Sequence, residues 1–141
     1  MAYLPMISGG GCDLTGTLIW TNPNPSTSQQ WIQLITPTQL EEYDYFRFVW
    51  CASTTDQSNT CEAVVSATDL KKSIQSTTAC RLGMLCRVVG SGGSALTSCR
   101  QTFYNYDSSK KGIWVSDAFK LNSTGSDNSK CMPLYVYGIK A

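Results

Sequence analysis

At 141 residues, 42% of them hydrophobic and 15% charged, the chain has the size and composition of one folded domain, which excludes a disordered segment and leaves too little length for two cores. Eleven Lys+Arg against ten Asp+Glu leave a formal charge of +1, a near-balance that offers no electrostatic footprint for nucleic acid, which would need a basic stripe. Histidine is absent, so Ser-His-Asp and Cys-His nucleophilic sites are excluded in their ordinary form, because no imidazole is there to take the nucleophile's proton.

Residues 1–7 read as a short arm, and Ser8-Gly9-Gly10-Gly11-Cys12 as a flexible joint, leaving 13–141 as the folded domain. Within the arm, Tyr3, Leu4, Pro5 and Met6 are candidate docking residues. The N-terminus shows neither the basic start nor the apolar run of a signal peptide, and no stretch approaches the ~20 apolar residues of a membrane span. The expectation is a chain made in a cytoplasm, with no membrane span.

Thr17-Leu18-Ile19-Trp20-Thr21 is the first predicted strand, closed by Asn22-Pro23-Asn24-Pro25-Ser26, where proline cannot donate to a β-ladder. A second strand is predicted over Gln30 to Ile35. Thr36-Pro37-Thr38-Gln39 then combines an N-cap hydroxyl, proline at the first helical position and Gln three residues on, a capping box that predicts one helical turn through Leu40, Glu41 and Glu42. From Tyr43 to Cys51, Phe46, Phe48 and Trp50 alternate with Tyr45, Arg47 and Val49, placing three large aromatics on one pleat face. Burying each contributes ~1.5–3 kcal/mol, so this strand is the expected centre of the core. Weaker strand signals follow at 61–67, 80–89, 96–106, 112–119 and 133–139. Lys71-Lys72, Lys110-Lys111 and Gly90-Ser91-Gly92-Gly93 read as turns between them. The sum is an all-β fold, an antiparallel, jelly-roll-like β-sandwich of about eight strands behind a short N-terminal arm, without internal repeats or heptads.

The cysteines at 12, 51, 61, 80, 86, 99 and 131 are odd in number, which excludes full intramolecular pairing. The tightest spacing, Cys80 to Cys86, is wider than the close pair of a zinc site, so no metal is expected. Free, mostly buried thiols acting as small hydrophobes is the reading adopted, with disulfides formed after release as the alternative. Glu41, Glu42, Asp44, Glu62, Asp107 and Asp117 could supply a glycosidase-type carboxylate pair, but ten carboxylates on an ordinary surface carry little signal. No enzyme activity and no cofactor are expected. Asn122-Ser123-Thr124 matches a glycosylation acceptor, a coincidental match without a secretory signal.

Aromatic residues carry more. Tyr104 and Tyr106, like Tyr135 and Tyr137, are two residues apart, so each pair projects from one face of its strand. Such rings stack on sugars and are enriched at interfaces, and the competing explanation is one sandwich face, part core and part rim. Tyr104, Tyr106, Trp114, Tyr135 and Tyr137 are the candidate ligand or interface aromatics, and Trp31 is open to the same two readings.

Three segments, Leu18-Ile19-Trp20-Thr21-Asn22-Pro23-Asn24-Pro25, Gln33-Leu34 and Tyr43-Asp44-Tyr45-Phe46-Arg47-Phe48, together with the closing Cys131-Met132-Pro133-Leu134-Tyr135-Val136-Tyr137-Gly138-Ile139-Lys140, resemble small tail or fibre-module structural proteins of phages infecting Firmicutes-type bacteria. Residues 52–111 stand outside that pattern. The resemblance implies a β-sandwich on a virion: a surface-displayed tail-fibre-like or capsid-decoration module with other virion proteins as partners. It also implies a homo-oligomer, a trimer favoured, with a host-surface glycan as a further partner and no catalytic residues. A host-receptor or carbohydrate-binding adhesin domain is the alternative. The shared residues read as structural: Trp20 as a core anchor, Asn22 to Pro25 as a rigid turn, and Gly138 where a side chain would clash.

Overall fold

The computed structural model describes residues 13–72, 82–89, 95–105, 112–121 and 125–141. The docking residues Tyr3, Leu4, Pro5 and Met6 lie outside them, as do Tyr106, Asp107, the glycines at 90–93, the Lys110-Lys111 pair and the Asn122 acceptor.

Nine strands are formed among the described residues: β1 (Thr17–Thr21), β2 (Ile32–Ile35), β3 (Tyr45–Ser53), β4 (Asp56–Ser66), β5 (Gly83–Val89), β6 (Ala95–Asn105), β7 (Gly112–Val115), β8 (Phe119–Lys120) and β9 (Lys130–Ile139), with helices α1 (Pro37–Glu42) and α2 (Ala67–Lys71). They pair in two antiparallel sheets. The first has the order β1-β9-β3-β4, the second β2-β7-β6-β5 with β8 also on β6, and together they make an all-β sandwich.

The capping box at Thr36 forms as its residue types dictate: the Thr36 hydroxyl accepts from the Gln39 amide at 3.2 Å, and the Gln39 side chain accepts from the Thr36 amide at 3.0 Å. Lys71, expected in a solvated turn, instead ends α2, whose N-cap is Ser66, and its ammonium pairs with Glu41 at 2.8 Å. β4 begins five residues before the predicted strand, because Asp56-Gln57-Ser58-Asn59-Thr60 has no apolar period and is held as a strand by its ladder to β3. The segment predicted as one strand over 112–119 divides into β7 and β8, which run along the same edge of β6 with residues 116–118 bulging between them. Proline sits inside β9, an interior strand, because the register with β3 shifts there: Val49 pairs with Tyr135 and Trp50 with Pro133.

Phe46, Phe48 and Trp50 all turn inward and are at most 5% exposed. They meet Val136 of β9, Leu34 and Ile35 of β2, Met84 of β5, and Ile113 and Val115 of β7, with Leu40 of α1 and Leu70 of α2 closing the cluster. Trp20 packs against this core, as its anchoring role requires. A second, smaller cluster of Cys51, Met132 and Leu134 lies on the opposite face of the first sheet. The chain after β1 passes close to it: Asn22 donates to the Pro133 and Leu134 carbonyls, and Ser26 accepts from Gln57. No helix among the described residues is long and apolar enough to cross a membrane.

Candidate functional site

The outer face of the first sheet carries the candidate aromatics of β9. Register links place Leu18, Tyr137, Arg47 and Val64 in one row across the four strands, and Thr21, Tyr135, Val49 and Glu62 in the next. The Tyr135 and Tyr137 rings lie 6.3 Å apart and tilted by 53°, as their two-residue spacing implies. The Arg47 guanidinium stacks 3.9 Å from the centre of the Tyr137 ring and is fixed there by Glu62 at 2.9 Å and the Thr15 carbonyl at 3.0 Å. Leu18 is 50%, Val64 42%, Tyr45 39% and Tyr135 38% exposed, so this face presents apolar and aromatic surface around one oriented cation. Sequence spacing identifies the tyrosines; Arg47, Leu18 and Val64 join them only through a strand register the sequence does not state.

On the second sheet, Trp114 is half-buried on the outer side, opposite Phe103 of β6. Phe103 meets Trp31 edge-on, with centroids 5.2 Å apart and planes at 78°. Trp31 is 49% exposed and holds φ at 51°, a left-handed conformation unusual for a bulky side chain. Further along this face, Leu85, Cys99 and Phe119 share a row, with Leu85 and Phe119 each nearly half exposed. Tyr104 faces inward, half-buried against the core cluster, on the face of β6 that bears Arg100 and Thr102.

The candidate carboxylates are dispersed. Glu41 pairs with Lys71, Glu62 with Arg47 and Glu42 with Lys140, while Asp44 accepts from the Ala141 amide. One oxygen of Asp117 is buried without a hydrogen-bond partner among the described residues. Hydrogen bonds from Thr15, Ser66 and Ser129 hold Asp13, Asp69 and Asp127 below the usual carboxylate range, so these three are not poised to keep a proton for acid catalysis. Among the described residues no group of three or more His, Cys, Asp or Glu is placed to hold a metal ion.

A groove of about 310 Å³ opens where β4 and β5, the edge strands of the two sheets, face each other, lined by Trp50, Asn59, Cys61, Leu85, Cys86 and Thr97. The Trp50 indole spans the sheets, donating to the Leu85 carbonyl at 3.0 Å. Cys61 is exposed in the groove, and Cys86 lies 7% exposed in its wall. Behind Cys86, the Cys131 sulfur of β9 stands at 3.1 Å. The contact with Cys131 lowers the Cys86 thiol to about 6, while the same contact and burial push Cys131 up.

No protein-family model, curated protein or solved structure matches the chain.

Proposed function

We propose that this chain works by assembly and binding, as a structural protein of a phage particle displayed at its surface, and that the outer face of the first sheet is a contact surface. The observation that carries the reading is the row Leu18, Tyr137, Arg47 and Val64, flanked by exposed Tyr45 and Tyr135. Aromatics and Arg are the residues enriched where proteins meet, and a guanidinium already fixed by Glu62 and the Thr15 carbonyl loses little freedom when a partner covers it. A net charge of +1 lets like copies approach without long-range repulsion, so a second copy of the chain is the first partner proposed, in a closed symmetric oligomer. The resemblance of the LIWTNPNP and PLYVYGIK segments to phage tail and fibre-module proteins supports the virion as the setting.

Sedimentation of the full chain, alone and with Val64→Glu or Leu18→Glu, tests the surface. A wild-type oligomer that both substitutions dissociate, with the melting temperature kept, is the expected result. An oligomer indifferent to both sinks the assignment of this face. A glycan-binding module is the second reading, favoured by the tilted Tyr135–Tyr137 pair beside a cation. Glycan-array binding abolished by Tyr135→Ala, from a protein that stays monomeric, would replace the first reading with the second.

A further inference from the structure

Five of the seven cysteines lie among the described residues, and four of those, Cys51, Cys86, Cys99 and Cys131, are buried. Burial alone makes such thiols inert packing groups. Cys86 and Cys131 differ in three ways. Their sulfurs touch at 3.1 Å, so little more than ~1 Å of approach separates them from the length of a disulfide bond. They come from different sheets, β5 and β9, and Cys131 holds its backbone at φ 46°, a conformation that persists in a non-glycine residue only when its surroundings impose it. Cys86 also lines the β4–β5 groove and is thereby reachable by a small reagent, whereas Cys131 is fully buried behind it.

The charge environment agrees with this asymmetry. Arg100 is fully buried, and its guanidinium donates to four main-chain carbonyls, of Gln29, Ser116, Asn128 and Lys130. No carboxylate among the described residues stands within ion-pair distance of it. It lies near enough to Cys86 and Cys131 for negative charge on either sulfur to favour its protonated form. Negative charge on the pair thus lies in the field of a buried cation, with the Lys130 ammonium also favouring the Cys86 thiolate, and the thiolate is the species that attacks disulfides.

We propose that Cys86 and Cys131 form a redox-active pair that closes to an inter-sheet disulfide by exchange with a small-molecule disulfide entering the β4–β5 groove. The Cys86 thiolate attacks one sulfur of the reagent RS–SR; the Cys86–SR bond forms as the RS–SR bond breaks and RS⁻ departs. Cys131, as it loses its proton, attacks the Cys86 sulfur and expels the second RS⁻. The two protons given up by the protein thiols end on the two departing thiolates. Two protein thiols are oxidised and one small disulfide is reduced to two thiols. The bond closes a loop of 45 residues, so it restricts the unfolded chain and stabilises the sandwich. The inference holds whatever the outer faces bind.

The test treats the folded full chain with bis(2-hydroxyethyl) disulfide, quenches with acid and maps peptides without reduction. The expected product joins the Cys86 and Cys131 peptides, with a melting temperature raised by roughly 10 °C and restored by reductant. Oxidation confined to other cysteines while the chain stays folded overturns the proposal. Cys131→Ser is expected to strand the mercaptoethanol adduct on Cys86, and a folded Cys131→Ser protein with Cys86 unmodified overturns its role as the attacking thiol. Cys61→Ser is expected to give the same cross-link yield, and loss of the cross-link in that variant overturns direct entry at Cys86. Should Cys131→Ser not fold, the wild-type peptide map decides.

Discussion

β3 and β6 are both interior strands, one in each sheet, and they fill their inward faces by opposite means. β3 contributes Phe46, Phe48 and Trp50; β6 contributes Ser98, Arg100 and Thr102, each 4% exposed or less. Met84 pairs with Arg100 across the β5–β6 ladder and belongs to the core cluster, so this polar row does face inward. On β3, burial stabilises by removing apolar area from water, a gain that depends on size and shape. On β6 it is tolerated because the donors are matched, the Arg100 guanidinium reaching carbonyls of the segment before β2, the β7–β8 bulge and the approach to β9. The wall at β3 is packed, and the wall at β6, though flanked by apolar residues of β5 and β7, is bonded to the loops that close its end.

That difference sets the largest expected effects. Phe48→Ala should cost ~3–5 kcal/mol by leaving a cavity, but Phe48→Leu only ~1–1.5, since an apolar core absorbs a near-isosteric change. Arg100→Met removes a buried charge, a relief of a few kcal/mol, yet orphans four carbonyls at ~1–3 kcal/mol each, so the net loss should be ~3–5 kcal/mol. Arg100→Lys should recover less than half of that, because an ammonium has three donors and no planar fork. Urea unfolding of the four variants checks the ranking. If Arg100→Met costs less than Phe48→Leu, the two walls are not held in different ways.

The two strands also differ in how far their sequences disclose them. In β3 every second residue from Phe46 to Trp50 is a large aromatic, and the inward face follows from that period alone. In β6 the same rule points the wrong way: Cys99 and Phe103 form the apolar alternation, and Arg100 would be turned to solvent. What reverses it is the set of carbonyls that receive Arg100, the farthest 71 residues away in sequence, and nothing local to β6 announces them. Tyr104 turns inward by the same reversal, since it shares a face with Arg100. The candidate surface divides similarly. Tyr135 and Tyr137 are legible from spacing, but the Arg47 stack depends on the β3–β9 register, and the contact of Cys86 with Cys131 spans 45 residues and both sheets. Short-range pattern identifies which segments are extended; which faces meet is decided by pairings between distant segments.

A smaller effect sharpens the packed side. A Cβ on Gly138 would stand 2.5 Å from the Tyr43 ring, which itself meets Phe46 edge-on at 6.1 Å. Gly138→Ala should therefore cost ~1–3 kcal/mol by forcing the ring off its seat. With Tyr43→Ala already present, the added cost should fall below ~1 kcal/mol, a coupling that a double-mutant cycle reads directly. Equal costs in both backgrounds would mean that the sheet backbone, not the ring, yields.

The smallest effect tests the bonded side, through a group that titrates. Asp127 accepts from the Ser129 hydroxyl and amide and so shapes the turn whose neighbouring carbonyls, of Asn128 and Lys130, receive Arg100. Those bonds, led by the Ser129 hydroxyl, hold the Asp127 carboxyl below its ordinary range in the folded chain. A folded-state pKa below the unfolded one, about 3.9 for aspartate, means the contribution is fully present above that value and is lost as pH falls through the folded pKa. Burial lowers the Arg100 pKa too, but a guanidinium titrates so far above this range that it keeps its charge throughout and adds no slope of its own. Asp13 and Asp69 are depressed in the same direction by Thr15 and Ser66, so the reading lies in the difference between wild type and Asp127→Asn. At neutral pH the variant should be less stable by under ~1 kcal/mol, the carboxyl being partly solvated, and the two stability curves should converge as pH drops below about 4. Curves that stay parallel down to that pH would show that the turn holds its carbonyls toward Arg100 without help from the carboxylate, and the bonded wall would then rest on main-chain geometry alone.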